Sequence, residues 1–183
     1  MGLFDLFNVG KIKDTIVGTL DEIQQGDIVG FDKKCYGFIS LNNGAGTKTV
    51  ATNVAIELSK KYSVCIVDFN IFQPGVWVLL NTPVKSETSL VRYFASNMEL
   101  KDGFLAVDGV KNLRFLSTSP LDPPMLMGDV RKEDIDSLLD YVKEAFDYVI
   151  IYMNYNPFAE WFVYSLFHLD KGYFVWDEQV ECA

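Results

Sequence analysis

Several short runs of this chain are apolar at nearly every position, and segments of helical periodicity separate them. The runs are Tyr36-Gly-Phe-Ile-Ser-Leu41, Ser63-Val-Cys-Ile-Val-Asp68 and Tyr148-Val-Ile-Ile-Tyr152. A strand with one face in water alternates apolar and polar residues, whereas a strand apolar throughout is covered on both faces. Parallel sheets flanked by helices have that property. Between the runs, Thr47 to Tyr62 places Val50, Val54, Ala55 and Leu58 at helical spacing and closes on Lys60 and Lys61, cations that complement the helix dipole. Arg131 to Phe146 puts Ile135, Leu138, Leu139, Val142 and Phe146 on one stripe. Residues 87–96 and 159–167 read as further helices, and 112–117 and 172–176 as further strands. The pattern predicts an α/β domain of three layers with a mainly parallel sheet, running from residue 35 to residue 183.

The residues before it have another character. Ile12, Ile16, Val17, Leu20 and Ile23 recur at intervals of three and four, which predicts an amphipathic helical extension over residues 1–34. Such a helix packs on its own domain or on a second copy, or else lies on a membrane surface through Leu3, Phe4, Leu6 and Phe7. Asp5, Asp14, Asp21 and Glu22 weigh against the membrane reading, because interfacial helices favour Lys and Arg. Leu6 fails the myristoylation pattern, and no cationic segment precedes an apolar core as in a secretory signal.

Charge and cysteine usage exclude several function classes. With 25 acidic against 16 basic residues among 183, the net charge is −9, which argues against non-specific nucleic-acid binding. Cys35, Cys65 and Cys182 are far apart and form no C-x-x-C pair, so neither zinc nor a thioredoxin-like motif is indicated. Cys35 and Cys65 read as core residues of a protein with reduced thiols, and the single His168 supplies neither a metal cluster nor a catalytic triad. The acidic stretch from Asp129 to Asp140 reads as a solvated helix face. Pro120-Leu-Asp-Pro-Pro124 with Met125, Leu126 and Met127 is either a contact surface or a loop folded onto the core.

The first run leads into Asn42-Asn-Gly-Ala-Gly46 and then directly into a helix. Strand, glycine-rich turn and helix in succession are the setting of a phosphate-binding loop, in which backbone N–H groups and the helix dipole meet an anion. Gly44, Ala45, Gly46, Thr47, Lys48 and Thr49 are the candidate binding residues, joined by Asp68 at the end of the second run. The stretch departs from G-x-x-x-x-G-K-[ST], because Thr47 follows Gly46 where lysine is required.

Over residues 35–180 the chain resembles the MinD/ParA family of deviant Walker ATPases, in particular its CpaE/TadZ-like pilus-localisation branch. The loop of that family reads K-G-G-x-G-K-T-T. Asn42 falls at its signature lysine, Thr47 at the phosphate-binding lysine and Lys48 at the magnesium-binding threonine. Val64-Cys-Ile-Val-Asp-Phe-Asn70 is similar to V-L-L-V-D-x-D, with Asn70 at the second acid. Phe146-Asp-Tyr-Val-Ile-Ile-Tyr152 is similar to F-D-Y-V-I-I-D, with Tyr152 at the Walker B aspartate. His168 to Val175 resembles the next strand and its lead-in.

The resemblance implies a P-loop NTPase fold, and these five departures imply a degenerate site. Phosphoryl transfer of this kind rests on positioned cations and metal-binding oxygens, which the substitutions remove. The expectation is a pseudo-ATPase with no catalytic residue, no metal and no obligate cofactor, retaining at most weak ATP, ADP or anion binding. Its implied role is that of a scaffold or localisation partner in a bacterial pilus, secretion or positioning assembly; the alternative is an ATP-binding switch that dimerises. Its expected partners are another protein or a second copy, not nucleic acid, in the cytoplasm or at the membrane through residues 1–23. Measured against the family, the domain is expected to be short on its C-terminal side.

Overall fold

Strands β1 (Cys35–Ser40), β2 (Val64–Asp68), β3 (Leu105–Val107), β4 (Val110–Leu116), β5 (Tyr148–Asn154) and β6 (Lys171–Val175) form one sheet in the order β3-β4-β2-β5-β1-β6. They belong to a computed structural model in which residues 34–95, 99–123, 125 and 130–176 are described. The helical extension expected over residues 1–34 lies outside the described residues except for Lys34, as do the residues after 176.

Every pairing is parallel except that of β3 with β4, which is antiparallel and closes one edge. The parallel core agrees with the apolar runs: every residue of β1 and β2, and all of β5 up to Met153, is buried. β3 has only three residues, Leu-Ala-Val, too short an apolar run for periodicity to mark it as a strand.

Helices α1 (Thr47–Ser59), α2 (Val76–Leu79), α3 (Leu90–Ala95), α4 (Leu100–Gly103), α5 (Lys132–Ala145) and α6 (Glu160–Leu166) connect the strands. The segment expected to be one helix over 87–96 is divided. A 3-10 turn spans Ser86–Thr88, and Ser89 is extended before α3 begins. Ser89 is held there by Ser119, whose backbone N–H donates to Ser89 Oγ at 2.9 Å.

The two sheet faces carry different layers. Cys35, Ile39, Cys65, Val67, Val149, Ile151 and Met153 share one core with Leu90 and Val91 of α3, the α5 stripe and Trp161 and Phe162 of α6. Ile135, Leu138, Leu139 and Val142 are all fully buried there. α1 packs across β1, β2, β4 and β5 on the alternate residues. At its end, the Ser59 carbonyl accepts from Asn112 Nδ2 at 3.1 Å, and Tyr62 meets Tyr148 edge-on at 4.9 Å. The result is the three-layer α/β arrangement, with the carboxyl ends of β1, β2 and β5 at one rim.

The acidic stretch on α5 is less idle than a solvated face. Arg131 pairs with Asp134, Lys132 with Asp136, and His168 Nε2 lies 2.8 Å from Asp136 Oδ1. The His168 contact ties α5 to the chain after α6, while the other two pairs brace the first turns of α5 itself.

Candidate functional site

The glycine loop follows β1 and is pinned at its base. Leu41 N–H donates to the Val175 carbonyl, Tyr155 N–H donates to the Ser40 carbonyl, and Ser40 Oγ donates to the Asn42 carbonyl at 2.8 Å. Gly44 (φ 90°) and Gly46 (φ 78°) take left-handed conformations that disfavour any side chain, and Gly46 serves as the N-cap of α1. No side chain caps that helix, so its first-turn N–H groups receive no help from a capping oxygen. Thr47 is buried with Oγ1 unpartnered among the described residues, whereas Thr49 is exposed.

Lys48 does not follow the loop. Its chain lies over Gly75, so closely that a β-carbon on Gly75 would collide with Nζ and approach Cδ at 3.2 Å. The resemblance set this residue at the magnesium-binding threonine; its side chain covers the turn between β2 and α2. Gly75 thus serves by close approach.

Asp68 stands at the end of β2, fully buried, with both oxygens occupied by protein donors. Oδ1 accepts from Asn70 N–H at 3.1 Å. Oδ2 accepts from Gly75 N–H at 3.0 Å, Val76 N–H at 3.1 Å and Ser117 Oγ at 2.9 Å. Burial pushes its carboxyl above the ordinary range, against the opposing pull of those four bonds. It organises the turn into α2 and the loop after β4. The structure therefore keeps Gly44 to Thr49 together in one loop and first turn, and gives Asp68 to a neighbouring turn that Lys48 covers.

Asn70 and Tyr152, which the resemblance set at two acid positions, join Asn43 and Asn154, which sequence reading did not single out as site residues, in a neutral relay beside it. Asn70 Nδ2 donates to Tyr152 Oη at 3.1 Å, Tyr152 Oη donates to Asn154 Oδ1 at 3.3 Å, and Asn154 Nδ2 reaches Asn43 Oδ1 at 3.5 Å. Asp68 and Tyr152 are register partners on adjacent strands, which brings the relay to the same rim as the loop. Burial raises the Tyr152 phenol above its usual value, so it remains an uncharged hydroxyl. Asn43 and Asn70, together with Gln73, Asn154 and Asn156, line an open cleft of about 260 Å³. The available signal was the concentration of carboxamides just after β1, β2 and β5, which no single motif captures.

Magnesium takes anionic oxygens from carboxylates and phosphates in a tight octahedron. Here the relay is neutral, and the buried carboxylate at this rim, Asp68, is consumed by backbone and serine donors. These residues do not fit a magnesium–nucleotide. Among the described residues, no group of three His, Cys, Asp or Glu side chains could hold a metal ion.

No protein-family model matches the chain, and no curated protein matches it. Solved structures do. The kinase domain of VpsO superposes with a TM-score of 0.68 at 16% identity, covering 94% of this chain and 83% of that one. The septum site-determining protein MinD of Pyrococcus horikoshii, complexed with Mg-ADP, gives a TM-score of 0.63 at 16% identity. A ParA family ATPase of Chlorobium tepidum gives 0.58 at 20% identity. Each of the last two covers 78% of this chain, which spans 57% of the MinD chain and 60% of the ParA chain. The fold is the one these proteins share. At such identities the likeness concerns architecture, and the chemistry must be read from the rim residues themselves.

The same limit applies to membranes. Among the described residues, no helix is long and apolar enough to cross one.

Proposed function

We propose that this protein is a non-hydrolysing relative of the MinD- and ParA-type ATPases, acting as a scaffold or localisation partner in a bacterial assembly. The supporting observation is the bonded pair Asn70–Tyr152, which sets a carboxamide and a phenol where the resemblance implies two carboxylates. Hydrolysis of a phosphoanhydride depends on neutralising developing charge, and neutral side chains linked to one another contribute little to that. The CpaE/TadZ likeness suggests pilus or secretion machinery as the setting. The partner is another protein or a second copy, in the cytoplasm or at its membrane boundary.

Calorimetric titration with ATP and ADP, with and without Mg²⁺, tests the reading together with a phosphate-release assay. The expected outcome is no Mg²⁺-dependent turnover and no metal-dependent binding near micromolar. Phosphate release that Asp68→Ala abolishes would sink the proposal.

A second reading, an ATP-binding switch that dimerises, draws on a different observation. Gly44 and Gly46 keep their left-handed conformations, and the uncapped start of α1 adjoins the unpartnered Thr47 Oγ1. Tight nucleotide binding without turnover, accompanied by dimer formation, would favour it. Peripheral membrane contact through residues 1–23 is a separate proposal, tested by liposome co-sedimentation with and without that segment.

A further inference from the structure

We infer that the cleft at the carboxyl ends of β1, β2 and β5 is a binding site for a neutral sugar, one pyranose ring in size. The inference rests on the reading that this rim no longer handles a magnesium–nucleotide, and it names what the altered rim recognises instead.

Every polar side chain assigned to the lining, apart from the Tyr155 hydroxyl and the Trp161 indole N–H, is a carboxamide; no charged side chain contributes. A carboxamide offers donors and an acceptor together. Asn154 spends both ends within the relay, and Asn43 Oδ1 is engaged as well. Asn43 Nδ2, Asn70 Oδ1 and the side-chain amides of Gln73 and Asn156 have no bond to a described protein group. Asn70 is only 4% exposed and is fixed by its bond to Tyr152, which leaves Oδ1 as a positioned acceptor on the lining.

That mixture of donors and acceptors suits hydroxyl groups, each of which also donates and accepts. An anion would use the donors, leave the acceptor oxygens facing like charge, and meet no lining cation. A cation would find no lining carboxylate. The walls supply the apolar half of the match. Trp161 is buried against Phe69 and Phe162 with ring centroids 6.2 and 6.5 Å away, and Tyr155 stands edge-on to Phe162 at 5.8 Å. Phe72, 64% exposed, flanks the opening. Ring faces held in this way can cover the C–H face of a pyranose while amides meet its hydroxyls.

Size and place narrow the class further. About 260 Å³ lies near the lower end of small-ligand pockets. An extended peptide recognised by strand addition needs a free sheet edge. The edges here are β3 and β6, whereas the cleft belongs to the ends of interior strands.

Saturation-transfer NMR on the full chain tests this with glucose, galactose and N-acetylglucosamine, and with ATP and triglycine as comparison ligands. Transfer to at least one sugar and to neither comparison ligand is expected. Asn156→Ala and Phe72→Ala, both at positions outside the buried core, should each weaken that sugar about fivefold, the effect of one lost hydrogen bond or packing contact. Circular dichroism confirms that the variants remain folded. Silence from all three sugars, transfer unchanged in both variants, or stronger transfer to triglycine would overturn the inference. Transfer to ATP would overturn it together with the non-hydrolysing reading if phosphate release also appeared, so the two failures are distinguishable.

Discussion

Asn70 Nδ2 donates to Tyr152 Oη across 3.1 Å, joining the end of β2 to the end of β5 at the rim where the glycine loop emerges. Neither residue is charged, and the Asn70 amide N–H is met by the phenol oxygen, which donates its own proton to Asn154. A bonded neutral pair has no need of a metal, and this is the local reason the rim is stable as it stands.

Tyr152→Phe removes the hydroxyl that serves both Asn70 and Asn154 while keeping the ring. The two amides then lose a partner in a largely buried setting, at a cost of about 1–3 kcal/mol. Urea denaturation should show a lower midpoint with an unchanged slope.

Restoring acids should not restore chemistry. In the double variant Asn70→Asp, Tyr152→Asp, two carboxyls stand beside buried Asp68 with no lining cation. Like charges in such a site repel, and protonation relieves the repulsion. The variant should melt lower than the parent at neutral pH, regain part of the difference under mildly acidic conditions, and release no phosphate.

Two aspartates should give opposite pH dependences. Asp68 has a folded pKa above its ordinary 3.8, so its contribution is most favourable below that value and declines as pH rises through the folded value. Asp147 accepts from Ser63 N–H at 2.8 Å and Ser63 Oγ at 2.7 Å, bonds that hold its carboxyl below 3.8. Its contribution is present above 3.8 and is lost as pH falls through the folded value. Urea midpoints measured across a pH series should lose the acid-side decline in Asp147→Asn and the decline above 3.8 in Asp68→Asn.

Both described cysteines should be chemically silent in the folded protein. Burial pushes the Cys35 thiol up to about 12 and raises Cys65 as well, and neither side chain is exposed. Thiolate, not thiol, is the nucleophile. Brief iodoacetamide treatment with peptide mass spectrometry should leave Cys35 and Cys65 unlabelled until denaturant is added.

Leu138→Ala tests the helix layer. Leu138 is fully buried in the core between α5 and the sheet, and removing its isobutyl group there should cost about 2–5 kcal/mol. A larger downward shift in melting temperature than for Tyr152→Phe is expected.

Much of the fold was legible because parallel strands and core-facing helices carry one-dimensional patterns. The continuous apolar runs gave β1, β2 and β5 to within two residues, and the α5 stripe is buried as its spacing predicts. The division of residues 86–95 was not legible, since it depends on Ser119 bonding Ser89 from thirty positions away. β3 was hidden for a similar reason: three residues gain strand character only by pairing with β4.

The candidate site divides along the same line. Gly44 and Gly46 could be read as turn residues, because glycine's tolerance of positive φ is a property of the residue itself. Lys48 could not be placed, because a long flexible side chain goes where the neighbouring surface leaves room, and that room is over Gly75.

By itself, the sequence determined that a parallel sheet forms, which segments cover it, and that the loop lacks its expected lysine. Those are consequences of composition and spacing along the chain. Only the tertiary structure decided that Asn70, Tyr152, Asn154 and Asn43 are bonded in series, and that Asp68 is consumed by its own turn. Hydrogen bonds depend on distances between strands remote in sequence, and strand order in the sheet sets those distances.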